Sequence, residues 1–362
     1  MKLKFVSTRR EIKQYLNMPR LVYRDCIYYR DSMTDILKMF LYKRTAFIKH
    51  SEFLPFLIED QGKPVLRAAF IIDRNLSDCL IIAFFEAYEH QGPAVELMLQ
   101  KARELAKSSG LKKIICGLDA HLNYGVGYLA SHFNVAPCFG LGYTPAYYLD
   151  YFQGMREVNF TSIQVDVDKF DFAREEGLLK RIKHRGYTFR TADFSHLDRE
   201  IAIFTRLNNL SYQGQQWWTE RTFTEDKELL YPFRWFLSGE NLIIAEKDGE
   251  PVGLLLWYPD FNQLVAPGRC LGISTLIKVK LGGVRRIDRF KIADIAIHPK
   301  FQGTGVILGL FERLQTLAKG RFNYGEGGWI AADNLLSRGF AGRWRDLGCQ
   351  EYKQYKAFET EL

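Results

Sequence analysis

The segment from Asp294 to Leu314 constrains the fold more than any other stretch of these 362 residues. Ile292, Ile295 and Ile297 mark a buried strand, and Pro299 ends it. Gln302-Gly303-Thr304-Gly305 makes a turn, after which Ile307, Leu310, Phe311 and Leu314 recur at helical spacing. A strand that passes through a glycine turn into a helix aims unpaired N–H groups and the positive end of the helix dipole at one point, where a phosphate or pyrophosphate is stabilised. Glycines let the backbone approach an anion with no Cβ in the way.

Length and composition set the frame for this motif. At 362 residues two domains are expected. The formal charge of +8 suits an anionic partner such as a phosphorylated cofactor, a lipid surface or RNA, and equally a plain basic surface. The six cysteines, Cys26, Cys79, Cys116, Cys138, Cys270 and Cys349, form no CxxC pair and have no zinc spacing, so they read as free thiols in a reducing compartment. The charged N-terminus is unlike a signal peptide, and the longest apolar run, Cys79 to Phe85, is too short to span a bilayer. These features place the chain in the cytoplasm. No metal is expected: the histidines show no HExxH, and Asp166-Val167-Asp168 lacks the glycine and glutamate of a calcium loop.

The order of elements repeats. In the first half, strands at Phe53–Ile58, Val65–Ile72 and Leu80–Ala87 precede a helix at Pro93–Ser109, a strand at Lys113–Cys116 and a closing strand at Met155–Val167. In the second, a strand at Tyr187–Ala192 and a helix at His196–Leu210 precede a hairpin at Leu242–Glu246 and Val252–Tyr258. An insertion at Phe261–Asp288 leads into the strand–turn–helix. A strand at Trp329–Ala332, a helix at Leu335–Leu347 and a strand at Tyr352–Phe358 follow. The charged stretch Arg174–Arg185 is the candidate linker, giving domains 1–170 and 171–362, and it could itself be helical. The fold class is α+β with α/β-type mixed sheets.

This order, with Ile295-Ala296-Ile297-His298-Pro299 leading into Gln302-Gly303-Thr304-Gly305-Val306, resembles the GNAT acyltransferase superfamily. In that family an Arg/Gln-x-x-Gly-x-Gly/Ala turn holds the pyrophosphate of coenzyme A. Gln302 and Gly305 match it, and Ile307 stands where a small residue is usual. Asp333-Asn334 followed by Leu347-Gly348-Cys349 resembles a second family motif. The whole chain is similar to a bacterial group with two tandem GNAT-like halves, on Pro259-Asp260-Phe261-Asn262-Gln263, Glu326-Gly327-Gly328-Trp329-Ile330, Phe84-Phe85-Glu86 and the segment Tyr143 to Tyr148. The resemblance implies acetyl-CoA or another acyl-CoA as cosubstrate, held by Ile295, Ala296, Ile297, Gln302, Gly303, Thr304, Gly305, Val306, Ile307 and Asn334. The first half has no phosphate turn after its third strand, and Glu86 and Glu89 there would repel an anion, so it is expected to bind no coenzyme A.

In the GNAT pattern an amine attacks a thioester directly. A carboxylate near the pocket would take the amine's proton, and the candidates are Glu326 and Asp294. Their plain structural readings are a loop glutamate and a strand-end aspartate. Asp260, Asn262 and Trp329 are candidates for binding the acceptor, although Pro, Asp and Asn also suit an ordinary β-turn. Trp344 occupies the position where many family members place an acidic tyrosine, and Tyr352 or Tyr324 could substitute. The resulting expectation is an acyl-CoA-dependent N-acyltransferase, with acetyl transfer favoured. The acceptor is a small-molecule or lipid amine, and a nucleic acid partner is not expected. The alternatives are long-chain acyl transfer to a lipid amine, aminoacyl-tRNA-dependent transfer and acyl-CoA binding without catalysis. The basic residues Lys278, Lys280, Arg285 and Arg286 of the insertion leave peripheral membrane contact open.

Overall fold

The computed structural model describes the backbone of residues 1–362 and the side chains of all but Leu335, Leu336, Ser337 and Phe340. Two compact units divide the chain: Met1–Thr161 with Val265–Leu271 and Lys353–Leu362, and Ser162–Leu264 with Gly272–Tyr352.

The first unit contains β1 (Lys2–Phe5), α1 (Arg9–Val22), α2 (Thr34–Leu41), β2 (Ser51–Asp60), β3 (Lys63–Asp73), β4 (Cys79–Ala87), α3 (Gly92–Ser108), β5 (Lys113–Cys116), β6 (Tyr128–Leu129), α4 (Tyr148–Tyr151) and the start of β7 (Arg156–Asp166). Helices α1 and α2 lie outside the repeated pattern legible in the sequence. Strands β1 to β4 pair antiparallel in order, and β4 pairs parallel with β5, as Cys79↔Lys113 to Ile82↔Cys116. The run Cys79–Ala87 is apolar because both faces of β4 are covered. Ala94, Val95, Met98 and Ala102 of α3 bury one stripe in the same core as Phe56, Phe70 and Ile82.

The second unit contains α5 (Glu176–His184), β8 (Tyr187–Thr191), α6 (Leu197–Tyr212), α7 (Phe223–Leu230), β9 (Leu242–Lys247), β10 (Glu250–Pro259), α8 (Ile273–Lys280), β11 (Arg289–Ile297), α9 (Val306–Ala318), β12 (Tyr324–Ala331) and α10 (Leu335–Gly342). β13 (Cys349–Glu361) starts here, and from Lys353 onward it belongs to the first unit, where Phe358 pairs Cys116 of β5. β8, β9, β10 and β11 are antiparallel neighbours, and β11 pairs β12 in parallel.

The charged stretch at 174–185 takes the helical form that the sequence left open: α5 fills most of it, with Leu179 and Ile182 buried. Its charges are the solvent face of an amphipathic helix. Two expectations change. The helix expected to end at Leu347 stops at Gly342, and a 3-10 turn at Arg345–Leu347 completes it before Gly348 turns the chain at φ +82°. Glu326 lies inside β12 rather than in a loop, because that strand starts at Tyr324. No described helix is long and apolar enough to cross a membrane.

Candidate active site

The glycine turn forms as its residue types require. Pro299–Phe301 makes a 3-10 turn, and Gly303 (φ +75°) and Gly305 (φ +92°) then take left-handed backbone that a Cβ disfavours. Thr304 closes the turn by donating its N–H and its hydroxyl to the Phe301 carbonyl, at 3.4 and 2.7 Å. Gln302 reaches back to the Ile297 carbonyl at 3.3 Å. Val306, buried, and Ile307, half-buried, open α9, where their N–H groups precede the first intrahelical bond, and the Leu308 N–H donates to the Gly305 carbonyl at 2.9 Å. A Cβ on Gly303 would meet nothing within 4 Å, so the outer face of the turn is open to a ligand. Gly305 has a second duty, since a Cβ there would stand 2.7 Å from Ile182 of α5.

Ile295, Ala296 and Ile297 pair Leu255, Leu254 and Gly253 of β10. A bulge precedes them: Leu256 faces Asp294 and Trp257 faces Ile292, so Ala293 is the extra residue. Pairing between β11 and β12 runs only from Arg289↔Tyr324 to Ile292↔Gly327, although both strands continue. Beyond the bulge they part, and Asp294 is the first residue of β11 past that point.

The end of α6 meets this edge. Asn208 Nδ2 donates to Asp294 at 2.9 Å, and the Tyr212 hydroxyl lies 2.7 Å from Asp294 and 2.8 Å from the Ile295 carbonyl. Ile297 N–H donates to Ser211 Oγ at 3.2 Å. Asp294 keeps part of its surface open, yet enough protein surrounds the carboxyl that burial pushes its pKa up to about 6. The nearby Asp226 adds to the rise, and the Tyr212, Asn208 and Ile295 hydrogen bonds oppose it. Burial chiefly, with Asp294 beside it, holds the Tyr212 phenol well above its ordinary value. A carboxylate poised near neutrality beside a neutral phenol is suited to proton transfer.

Glu326 has a different setting. It is fully buried, accepts from Ser162 Oγ at 2.9 Å, and has an Arg289 nitrogen 3.8 Å away. Arg289 also binds Asp260, itself fully buried, at 2.9 and 2.5 Å. Asp260 receives the Asn262 N–H at 3.2 Å, so Asp260 and the buried Asn262 shape a turn held to the start of β11. Removing one partner of so buried a pair costs about 3–5 kcal/mol. This cluster of Asp260, Arg289, Glu326 and Ser162 has an evident structural role. Tyr352 lies beside it, its phenol raised by burial and by Glu326.

Trp329 is half-buried on β12 and has the Lys291 ammonium 5.0 Å from its ring. Asn334 is half-buried at the N-terminus of α10, where its carbonyl accepts from the Arg338 N–H at 3.1 Å. Trp344 packs against Phe170 and Phe172 at 5.1 and 5.4 Å with only 1% of its surface exposed, which is a core position. Tyr324 is exposed at the start of β12. The structure thus brings Asp294 to the same strand as the glycine turn, and gathers Glu326 and Asp260 around Arg289. Sequence reasoning missed Asn208, Ser211 and Tyr212. They lie more than 80 positions from their partners on an ordinary amphipathic helix, and no local signal marks them. Among the described residues, no group of three or more His, Cys, Asp or Glu side chains is placed to share a metal.

The first unit repeats the bulge and closes the strand beyond it. Ala69 faces Ala83 and Arg67 faces Glu86, with Phe84 at φ +54° between them. Glu86, like Asp294, is the first acid past the bulge. The Tyr148 hydroxyl donates to it at 2.7 Å and accepts the Ala87 N–H at 2.9 Å. Tyr147 donates to the Ala87 carbonyl at 2.9 Å, while Tyr151 accepts the Gln91 N–H at 3.0 Å and donates to the Tyr88 carbonyl. Burial raises Glu86 to about 7 against the pull of Arg67, and raises Asp119 to about 6.

With this geometry in view, the comparisons with known proteins are specific. The acetyltransferase (GNAT) family model matches residues 211–345. A bacterial ceramide synthase of Caulobacter vibrioides is 24% identical over 385 aligned positions, covering 99% of this chain and 96% of its own. A tandem GNAT protein from the clavulanic acid biosynthesis pathway superposes with a TM-score of 0.55 at 14% identity, covering 99% and 98% of the two chains. The structure containing the glucosamine N-acetyltransferase region of a fungal multi-domain beta-N-acetylglucosaminidase gives 0.56 at 13%, and there the match covers 99% of this chain but 38% of the longer protein. Family match, sheet order and glycine turn agree: residues 211–345 match the GNAT family model, and the chain as a whole has the fold of tandem GNAT proteins.

Proposed function

We propose that the second unit transfers an acyl group from acyl-coenzyme A to the primary amine of a lipid. The observation that carries this reading is Asp294, standing past the β11 bulge with its carboxyl near neutrality, on the strand that runs into the Gln302–Gly305 turn. The turn and the first N–H groups of α9 suit a pyrophosphate, and the open space over Gly303 admits one. Bound there, acyl-coenzyme A supplies an activated thioester. Asp294 is an anion above about pH 6 and takes the proton that the neutral amine nitrogen sheds as it attacks the thioester carbonyl; the C–S bond breaks as the amide forms, and coenzyme A leaves as a thiolate that takes a proton from water. Asn208 and Tyr212 fix the carboxylate's direction, and Tyr212 stays protonated beside it. Glu326, sealed by Arg289 and Ser162, keeps β12 and β11 in place. The lipid amine is favoured over a small polar one by the name of the Caulobacter relative, which aligns over nearly the whole chain.

The test is release of free thiol from acyl-coenzyme A of rising chain length, with a panel of long-chain and water-soluble amines. The expected result is release that needs both substrates and is fastest with a lipid amine. A ligand at one hundred times its dissociation constant stabilises the fold by about 2.7 kcal/mol, so binding is visible separately as a rise in melting temperature. A melt shift without thiol release across the panel would mark a non-catalytic acyl-CoA binder. No shift with any acyl-CoA would remove the cosubstrate assignment.

A further inference from the structure

Helix α8 carries the most exposed large apolar side chains of the described residues. Ile273 is 79% exposed, Ile277 54% and Leu281, its C-cap, 81%. Spaced four apart, they form one stripe along the helix. The opposite side holds the helix down, since Thr275 is buried and Val279 half-buried. The stripe is therefore displayed to solvent by a docked helix rather than left over from a frayed one.

Its flanks are cationic. On a helical projection Lys280 borders the stripe on one side, and Lys278 lies beyond its other edge, next to the buried face. Lys278 is held there by the Leu264 carbonyl at 2.8 Å. The turn after α8 adds the exposed Arg285 and Arg286. The acid of this segment, Asp288, is engaged by Gln263 at 2.6 Å. A bare apolar stripe bordered by long cationic side chains, with no acid on the helix, complements a surface that is greasy inside and anionic outside. At eight residues α8 is about 12 Å long, far too short to span a bilayer, so it would lie in the plane of the surface. A protein interface fits less well, because interface cores are depleted in lysine.

We infer that α8 docks the protein onto an anionic lipid bilayer, with Ile273, Ile277 and Leu281 entering the headgroup boundary and Lys280, Arg285 and Arg286 meeting lipid phosphates. This rests on the α8 segment alone and stands whether or not the acyl-transfer reading holds.

The experiment is co-sedimentation of the full chain with phosphatidylcholine vesicles and with phosphatidylcholine vesicles containing phosphatidylglycerol. The expected result is binding at least about tenfold stronger to the anionic vesicles, weakening with salt. The triple variant Ile273→Ser, Ile277→Ser, Leu281→Ser is expected to lose about tenfold or more of that binding. The triple variant Lys280→Glu, Arg285→Glu, Arg286→Glu is expected to lose about a hundredfold, at roughly fivefold for each basic residue removed. All six side chains are exposed, so both variants should melt as the wild type does. Wild-type protein that ignores both vesicle types overturns the inference, as does a serine variant that binds as well as wild type. A serine variant that changes oligomeric state while keeping its vesicle binding gives the stripe to a second copy of the chain instead.

Discussion

In the first unit the strand past the bulge, β4, is closed off by tyrosines, whereas in the second β11 runs on to a glycine turn and a helix entrance. Up to that point the two match. Each has an antiparallel hairpin, a bulge in the next strand and an acid as the first residue beyond the bulge, Glu86 in one and Asp294 in the other. The difference lies in who satisfies the exposed backbone. Tyr147, Tyr148 and Tyr151 bond the Ala87 and Tyr88 carbonyls and the Ala87 and Gln91 N–H groups. With those groups taken by the chain itself, a pantetheine or pyrophosphate would have to displace phenols that already hydrogen bond well. The acids differ too. Glu86 has Arg67 3.8 Å away, while Asp294 is held by the neutral donors Asn208 and Tyr212. Burial brings both carboxyls toward neutrality, about 7 for Glu86 and about 6 for Asp294, so what separates them is place: Asp294 stands on the strand that runs into the open glycine turn, and Glu86 on the strand the tyrosines close.

The strongest test of this contrast exchanges the two acids for their amides. Asp294→Asn is expected to lower turnover by about a hundredfold or more while leaving acyl-CoA affinity nearly unchanged. It should also erase a rise in rate through about pH 6, because the carboxylate forms as pH rises through its raised value. Glu86→Gln should leave turnover within a few-fold of wild type. A larger loss from Glu86→Gln than from Asp294→Asn, in steady-state rates, would break the comparison.

The glycines give the next effect. Gly303→Val puts a branched side chain at φ +75° in the open face of the turn, and acyl-CoA affinity by calorimetry should drop about tenfold. Gly92→Ala, at the matching helix entrance of the first unit, meets nothing within 4 Å and should change affinity by nothing measurable. Gly305 is the poorer probe, because a side chain there would press on Ile182 and loosen α5 as well.

Tyr151→Phe removes the hydroxyl that serves both Gln91 and Tyr88, at an expected cost of about 1–2 kcal/mol in denaturant unfolding. Acyl-CoA stoichiometry should stay at one per chain. A second equivalent bound by this variant would show that the tyrosines are what closes the first unit.

The smallest effect is on the pH dependence of stability. Glu86 and Asp119 have raised values in the folded state, about 7 and 6, so the native protein holds protons that the unfolded chain has released. Their contribution to stability is full below the ordinary carboxylate range near pH 4 and fades as pH climbs toward 7. Glu86→Gln should flatten that decline, seen as melting temperatures that differ from wild type by a few degrees more at pH 7.5 than at pH 4.5. An unchanged slope would mean that Glu86 is not the protonated group.

The strand–turn–helix from Ile292 to Leu314 and the repeated hairpins were legible in the amino-acid order, because isoleucine alternation, glycine at positive φ and helical spacing act over a few neighbouring residues. Resemblance to family motifs led from the same segment to the expectation of a coenzyme A site. Glu326 reads locally as a loop residue because Gly325, Gly327 and Gly328 look like a turn, while in the structure β12 pairs β11 from Tyr324 through Gly327. Local reading places Glu326 slightly ahead of Asp294, because nothing near either acid says which one an arginine will meet.

The chain order by itself determined that there would be two similar α+β halves, with a glycine turn opening a helix after a strand of the second. Tertiary structure decided the rest: Arg289 closing on Asp260 and Glu326, α6 delivering Asn208 and Tyr212 to Asp294, and tyrosines from α4 sealing β4. Backbone conformation and periodicity are short-range properties that a sequence displays. The protonation state of a carboxyl depends on which distant side chains burial brings within a few ångströms of it, and that is settled only when the chain has folded.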